Sequence, residues 1–142
     1  MSIQIASLVV EVQSPKFRIY AIGENDKFPL LDYLETLRQS NSDSHERLIA
    51  MIDRYARHGP PRNDFRKARC LDKKEKIFEF KTNDGNRITW FYDAGSVIIC
   101  TNGFPKPNKK RLRQDIQVAV SWKKRYETAR DQQQVRILTC IP

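Results

Sequence analysis

Hydrophobic and polar positions change period several times along this chain, and each change marks a new element. Over residues 3–12, Ala6, Leu8, Val10 and Val12 alternate with neighbours that are only partly polar, which predicts a mostly buried strand. Ser14-Pro15 breaks it. Residues 16–22 then alternate Phe17, Ile19 and Ala21 against Arg18 and Tyr20, the period of a second strand. Residues 23–26 read as a turn. Pro29 opens a helix, because its fixed φ suits a helix start and its missing N–H is no loss there. Leu30, Leu31, Leu34 and Leu37 follow at helical spacing to about Gln39. Residues 41–44 offer several N-cap oxygens to a second helix, which buries Leu48, Ile49, Ile52 and Tyr55. It ends at His58-Gly59, where Pro60-Pro61 forbids continuation.

Residues 62–76 read as a basic linker. Beyond it the period returns to two, and residues 77–104 predict three short strands. Asn83-Asp84-Gly85-Asn86 and Asp93-Ala94-Gly95 supply the residues that tight turns need at positive φ. A last helix is expected from about 108 to 129, with Leu112, Ile116, Ala119, Val120 and Tyr126 on its apolar face. The tail from Val135 to Ile141 is apolar enough to dock, but the pattern does not say where. Strands, two helices, three strands and a helix predict an α+β domain: a small antiparallel sheet with two N-terminal helices on one face and a C-terminal helix. Its 142 residues suit one domain, with 1–14 as an extra N-terminal strand and 130–142 as a tail.

Charge narrows the function. Lys and Arg total 26 against 17 Asp and Glu, a net charge of +9, which favours nucleic acid, an acidic protein or an anionic surface as partner. The excess is local. Residues 54–76 carry nine basic side chains against three acids, and residues 106–125 carry eight against Asp115 alone. A small sheet with Lys81 and Arg87 beside its first turn, and Lys106, Lys109 and Lys110 after its third strand, is a surface for a polyanion. The three cysteines, Cys70, Cys100 and Cys140, form no CxxC pair, so reduced thiols in a cytoplasmic protein are the simplest account. Cys100 is expected as a small core residue. The opening residues are too short to span a bilayer and lack a leading basic residue, so neither signal peptide nor membrane contact is expected.

The same residues resemble a known family over about residues 16–127. Phe28-Pro29-Leu30-Leu31-Asp32-Tyr33-Leu34-Glu35-Thr36-Leu37 is similar to a first helix of the phage-derived RelE/HigB-like toxins of type II toxin–antitoxin systems, within the RelE/ParE superfamily. Ile77-Phe78-Glu79-Phe80-Lys81 resembles that family's aromatic–Glu–aliphatic–basic strand, and Asn86-Arg87-Ile88-Thr89-Trp90-Phe91 its next strand, which usually carries Arg. Asn102-Gly103-Phe104-Pro105-Lys106, with Asp115-Ile116 and Ala119, resembles a Gly-Phe-x-Lys and acidic-Ile-x-x-Ala pattern. Asn102 stands where many members have His, and Pro107 replaces a second Lys. The resemblance implies an endoribonuclease that cuts mRNA, commonly on the ribosome, and is silenced by a cognate antitoxin protein.

Such cleavage needs little from the enzyme, because RNA carries its nucleophile in the 2′-OH. The 2′-OH must lose a proton, charge at phosphorus must be stabilised, and the departing 5′-oxygen must gain a proton. Basic side chains can do all three, so no metal or other cofactor is expected. Arg87 is the first choice as phosphate clamp, as a solvent-facing strand Arg anchored beside a turn. Lys81 lies across the same hairpin. Lys106 and Lys109 complete the catalytic set, with proton transfer and plain phosphate attraction both open. Arg66, Lys67, Arg69 and Lys110 are candidate RNA contacts, and Tyr92 a candidate for stacking a base, although core packing is its plainer role.

For each cation, the plainer reading is a solvated surface charge. His58 is the only plausible neutral-pH acid or base, but at a helix C-terminus it commonly meets only the dipole. Glu79 is expected to partner a neighbouring cation rather than to catalyse, Asp93 to form a turn, and Phe78, Phe80 and Trp90 to be core. Two other functions share the basic patches: a non-enzymatic ParE-like toxin that blocks DNA gyrase, and a basic nucleic-acid-binding accessory protein.

Overall fold

A computed structural model describes residues 2–9, 12–61 and 68–138. In chain order the elements are β1 (Ile3–Ser7), β2 (Arg18–Gly23), α1 (Pro29–Ser40), α2 (Ser42–His58), β3 (Ala68–Asp72), β4 (Ile77–Lys81), β5 (Arg87–Asp93), β6 (Val97–Phe104), α3 (Lys109–Asp131) and β7 (Val135–Leu138). All seven strands join one sheet in the order β3-β4-β5-β6-β2-β1-β7. The meander β3 to β6 is antiparallel, whereas β2 lies parallel to β6 and β7 parallel to β1.

The pleat sorts each strand's residues between two cores. Ile19, Ala21, Phe80, Ile88, Trp90, Ile98 and Cys100 point to one face and meet Leu30 and Leu34 of α1 and Leu48, Met51, Ile52 and Tyr55 of α2. Ile5, Ile22, Ile77, Phe91 and Ile99 point to the other and meet Ala119, Val120, Tyr126 and Ala129 of α3. Each buried Leu, Ile, Val, Met or Phe among them contributes roughly 1.5–3 kcal/mol by leaving water. Trp90 is sandwiched between Phe78 and Phe80, with ring centroids 4.8 and 4.6 Å apart. The expected α+β class therefore holds, with the first two helices on one face and the third on the other. No described helix is long and apolar enough to cross a membrane.

The sheet is larger and more mixed than the small antiparallel one expected. Part of the segment read as a basic linker, Ala68–Asp72, is the outermost strand of the meander. Its burial is only partial and it carries little apolar alternation, so the pattern that marks buried strands was absent. The tail docks as β7, pairing Ile3 with Val135 and Ala6 with Leu138. Strand β1 ends at Ser7, short of the predicted 12, with one further bond in the same register, from Leu8 N–H to the Ile19 carbonyl.

Helix ends follow local chemistry. Asn41 Oδ1 accepts from Ser44 N–H and Asn108 Oδ1 from Arg111 N–H, satisfying donors that the first turns of α2 and α3 leave open. Gly59, at φ 84°, closes α2 as its position before two prolines predicts.

Candidate functional site

The hairpin β4–β5 places Lys81 and Arg87 directly opposite each other, with Phe104 of β6 next in the same row. A Cβ at Gly85 would lie 3.3 Å from Lys106 Cβ, so Lys106 rests against the tip of this hairpin. Three predicted cations thus stand at one end of the meander, with Lys81 lining a cavity beside Arg47, Arg54 and Tyr55 of α2. Among the described residues, Lys81, Lys106, Lys109 and Lys110 pair with no carboxylate. Lys109 and Lys110 open α3, exposed, on the segment that follows Lys106.

Arg87 itself is not the solvent-facing clamp that its place beside a turn suggested. It is 7% exposed, and its NH1 donates to both oxygens of Glu79 at 2.8 and 3.1 Å. Glu79 is 1% exposed and also accepts from Arg69 Nε across β3–β4. The sequence reading of Glu79 as a partner for neighbouring cations is right, and the partners are two. The reason lies in the sheet. With β3 paired outside β4, Glu79 and Arg87 sit inside the sheet rather than at its rim, so Arg87 turns to the neighbouring carboxylate on its face, Glu79. Arg69, with a side chain 42% exposed, is the member of the triad that meets solvent. Arg87 Nε stays buried without an acceptor among the described residues.

A β-bulge completes this face. Ile88 opposes Gly103 but Trp90 opposes Cys100, so both Thr101 and Asn102 stand against Thr89. Thr89 Oγ1, Thr101 Oγ1 and Asn102 Oδ1 form one hydrogen-bonded cluster, with the two hydroxyls 2.6 Å apart and each 2.8 Å from the amide oxygen. The bulge re-aims Asn102, which a regular ladder would send to the opposite face. No turn residue or break in alternation announces it.

The hairpin tip is held by a residue that sequence reasoning treated as a turn former only. Asp84 accepts from Ser44 Oγ at 2.6 Å, from Arg47 NH1 at 3.1 Å, from Asn86 Nδ2 at 3.3 Å and from Thr82 Oγ1. Ser44 and Arg47 belong to the first turns of α2, so Asp84 clasps the Lys81–Arg87 turn to that helix. Burial raises the carboxyl's pKa, but these donors outweigh it and hold it well below the usual carboxylate range. Beside it, Tyr33 donates to Asn86 Oδ1, and burial, with the charge of Asp84, pushes the phenol up to about 12.

Other candidates fall elsewhere. Tyr92 is on the α1/α2 face, 42% exposed, among Phe17, Phe78 and Trp90, and is not brought to the cationic row. His58 ends α2 on that side. Arg66 and Lys67 lie outside the described residues. Asp93 anchors α3, accepting from Tyr126 and from Arg130 at 2.6 Å, in addition to forming its turn. Cys100 is buried as expected, and burial pushes its thiol far up. Among the described residues, no three His, Cys, Asp or Glu side chains gather as a metal site would require.

The family described as phage-derived protein Gp49-like (DUF891) matches residues 33–126, from α1 through most of α3. This chain belongs to that family. Members are commonly toxins of toxin–antitoxin systems, and a toxin of that kind implies an antitoxin partner. The matched span holds the Lys81–Arg87 hairpin, Lys106, the Glu79 triad and the Asp84 clasp; β1, β2 and β7 lie outside it. A search of curated proteins finds no match.

Proposed function

We propose that this chain is a RelE/HigB-like toxin of a type II toxin–antitoxin pair, acting as a metal-independent mRNA endoribonuclease on the ribosome. The observation that carries the reading is the placing of Lys81 and Lys106, neither with a carboxylate partner among the described residues, on a hairpin and at its tip, the hairpin pinned by Asp84, in a chain of this family. Uncompensated cations on a fixed frame stabilise charge that develops on a scissile phosphate without having to reorganise.

In the proposed reaction, the 2′-oxygen loses its proton and attacks phosphorus, the bond from phosphorus to the 5′-oxygen breaks, and that oxygen takes up a proton. A cyclic phosphate and a free 5′-hydroxyl result. Lys81, Lys106 and Lys109 supply charge stabilisation and proton transfer at the phosphate. Arg69, braced by Glu79, and Lys110 contact the RNA backbone. Arg87 is a positioning residue: it fixes Glu79 and so Arg69. A cognate antitoxin covers or distorts this face.

Mapping RNA 5′ ends after induction tests the reading. Cuts phased with codons, absent in an equally expressed Lys81→Ala/Lys106→Ala variant, are the expected result. Intact mRNA accompanied by gyrase-linked DNA damage would replace it with the gyrase-blocking alternative, and unimpaired growth would leave only an accessory nucleic-acid binder.

A further inference from the structure

One outer strand of the sheet has its free edge far from the cationic row. Strand β7 pairs with β1 on one side, and among the described residues no strand lies on its other side. We propose that this edge receives an extended acidic segment of the antitoxin as a further strand of the sheet. The inference rests on the reading of the chain as a toxin with an antitoxin partner; it does not depend on RNA cleavage.

Three observations carry it. The first is the direction of the backbone groups. Ile3 is level with Val135, and its N–H donates to the Gln134 carbonyl at 3.2 Å. In a parallel ladder each residue bonds to the two neighbours of the residue it faces, so β1 uses the groups of Gln134, Arg136 and Leu138. The N–H and C=O of Val135 and Ile137 therefore point away from β1, and no described group bonds to them. An unpaired row of this kind is a template on which an extended peptide can add as a strand. Strand β7 carries no proline and pairs without a bulge, so two of the usual devices that close an edge are missing.

The second is the set of side chains at the edge. Ile137 is 59% exposed, more than Ile49, Tyr92 or Val118, the other large hydrophobics that meet water. It shares the α3 face with the half-buried Val135, while the exposed Arg136 points to the opposite face. A strand laid here covers Ile137 with an apolar residue on one face and sets an acidic residue against Arg136 on the other. The segment that fits therefore alternates apolar and acidic residues.

The third is charge, which decides between occupants. Neither Arg136 nor Lys124, which lines a cavity with Gln134 at the start of β7, has a carboxylate partner among the described residues. A second copy of this chain would bring +9 against +9, and pairing centred on Arg136 would set two arginines directly opposite, which is destabilising. An acidic segment meets both cations instead. Strand β7 stands four strand spacings from β5, about 19 Å. An antitoxin anchored there keeps the rest of its chain for the Lys81–Arg87 hairpin.

Amide hydrogen exchange of the full chain, alone and with the antitoxin co-expressed from the same operon, tests this residue by residue. In the free chain Arg136 and Leu138 should exchange slowly, and Val135 and Ile137 fast. In the complex Val135 and Ile137 should slow roughly ten-fold or more, the scale of one hydrogen bond. Ile137→Pro removes an outward N–H and no bond to β1, so it should still fold, which a thermal melt checks, and bind the antitoxin about ten-fold more weakly. Ile137→Ala keeps that N–H and should lose less. Arg136→Glu should also weaken binding, most at low salt.

Unchanged exchange at Val135 and Ile137 in a stable complex overturns the proposal and leaves the toxin reading standing. Wild-type affinity in both Ile137→Pro and Arg136→Glu does the same. Protection of the two amides in the free chain that grows with its concentration assigns the edge to a second copy, which also overturns it. Absence of any antitoxin complex removes this inference and the toxin reading together, whereas intact mRNA in an arrested culture removes only the nuclease.

Discussion

Replacing Arg87 by Ala should unfold this protein more readily before it reveals anything about chemistry. Arg87 and Glu79 form an ion pair whose side chains are 8% and 1% exposed. Removing one member of a buried pair typically costs about 3–5 kcal/mol, because the remaining charge is stranded away from water. Here Arg69 still holds Glu79 from the solvent side, which places the loss near the lower bound, about 3 kcal/mol. For a small protein with a urea dependence of about 1–3 kcal/mol per molar, the midpoint should fall by roughly 1–3 M. Arg69→Ala removes only the half-exposed partner and should cost no more than about 1 kcal/mol. Replacing both Arg87 and Glu79 by Met should recover most of the loss, since no buried charge remains. Urea unfolding followed by fluorescence at pH 7 gives all four midpoints. An Arg87→Ala midpoint within about 0.3 M of wild type would refute the argument that the pair is a buried brace. So would an equal loss in Arg69→Ala. Growth-arrest assays of Arg87→Ala are informative only at matched amounts of folded protein.

Asp84→Ala should cost about 2 kcal/mol at pH 7, the scale of hydrogen bonds to one charged group. Since the folded carboxyl is held below its usual value near 3.9, this stability is fully present above about pH 4. It is lost as pH falls through the folded value; a gap between variant and wild type that persisted in strong acid would contradict it. Asp115 has the opposite sign: burial raises its pKa despite Arg111 at 3.4 Å, and its Oδ2 has no partner among the described residues. Wild type should therefore lose stability as pH rises from the unfolded carboxylate value to the higher folded one. Asp115→Asn should melt higher than wild type at neutral pH and show no such advantage in acid. Gly103→Ala would place a methyl 2.5 Å from Tyr33 Cδ2 and 3.0 Å from Leu30 Cδ1, and should destabilise by about 1–3 kcal/mol in calorimetry. Association with an acidic antitoxin should slow as salt rises past physiological strength, where screening acts within about 8 Å. A salt-independent on-rate in stopped-flow would leave the clustered cations with RNA alone.

Local pattern determined much of this protein. The leucines of α1, the caps and proline stops of α2, and the turn residues at 83–86 and 93–95 each set an element whose cause lies within a few residues. The basic excess around 54–76 and 106–125 was equally plain, as was the position of Lys81 opposite Arg87 across one tight turn. What only the tertiary structure decided were consequences of which strands lie side by side. Strand β3 carries little apolar alternation because it is an outer strand, and β7 is placed by its pairing with β1. The bulge that aims Asn102 arises from pairing between β5 and β6. Whether a strand arginine meets water depends on whether another strand covers its flank and whether a carboxylate shares its face. Arg87 was visible in the sequence as a charged residue beside a turn; that it is a buried brace for Glu79, with Arg69 left to face solvent, was settled by neighbours eight and ten residues away along chains that the sheet brings into register.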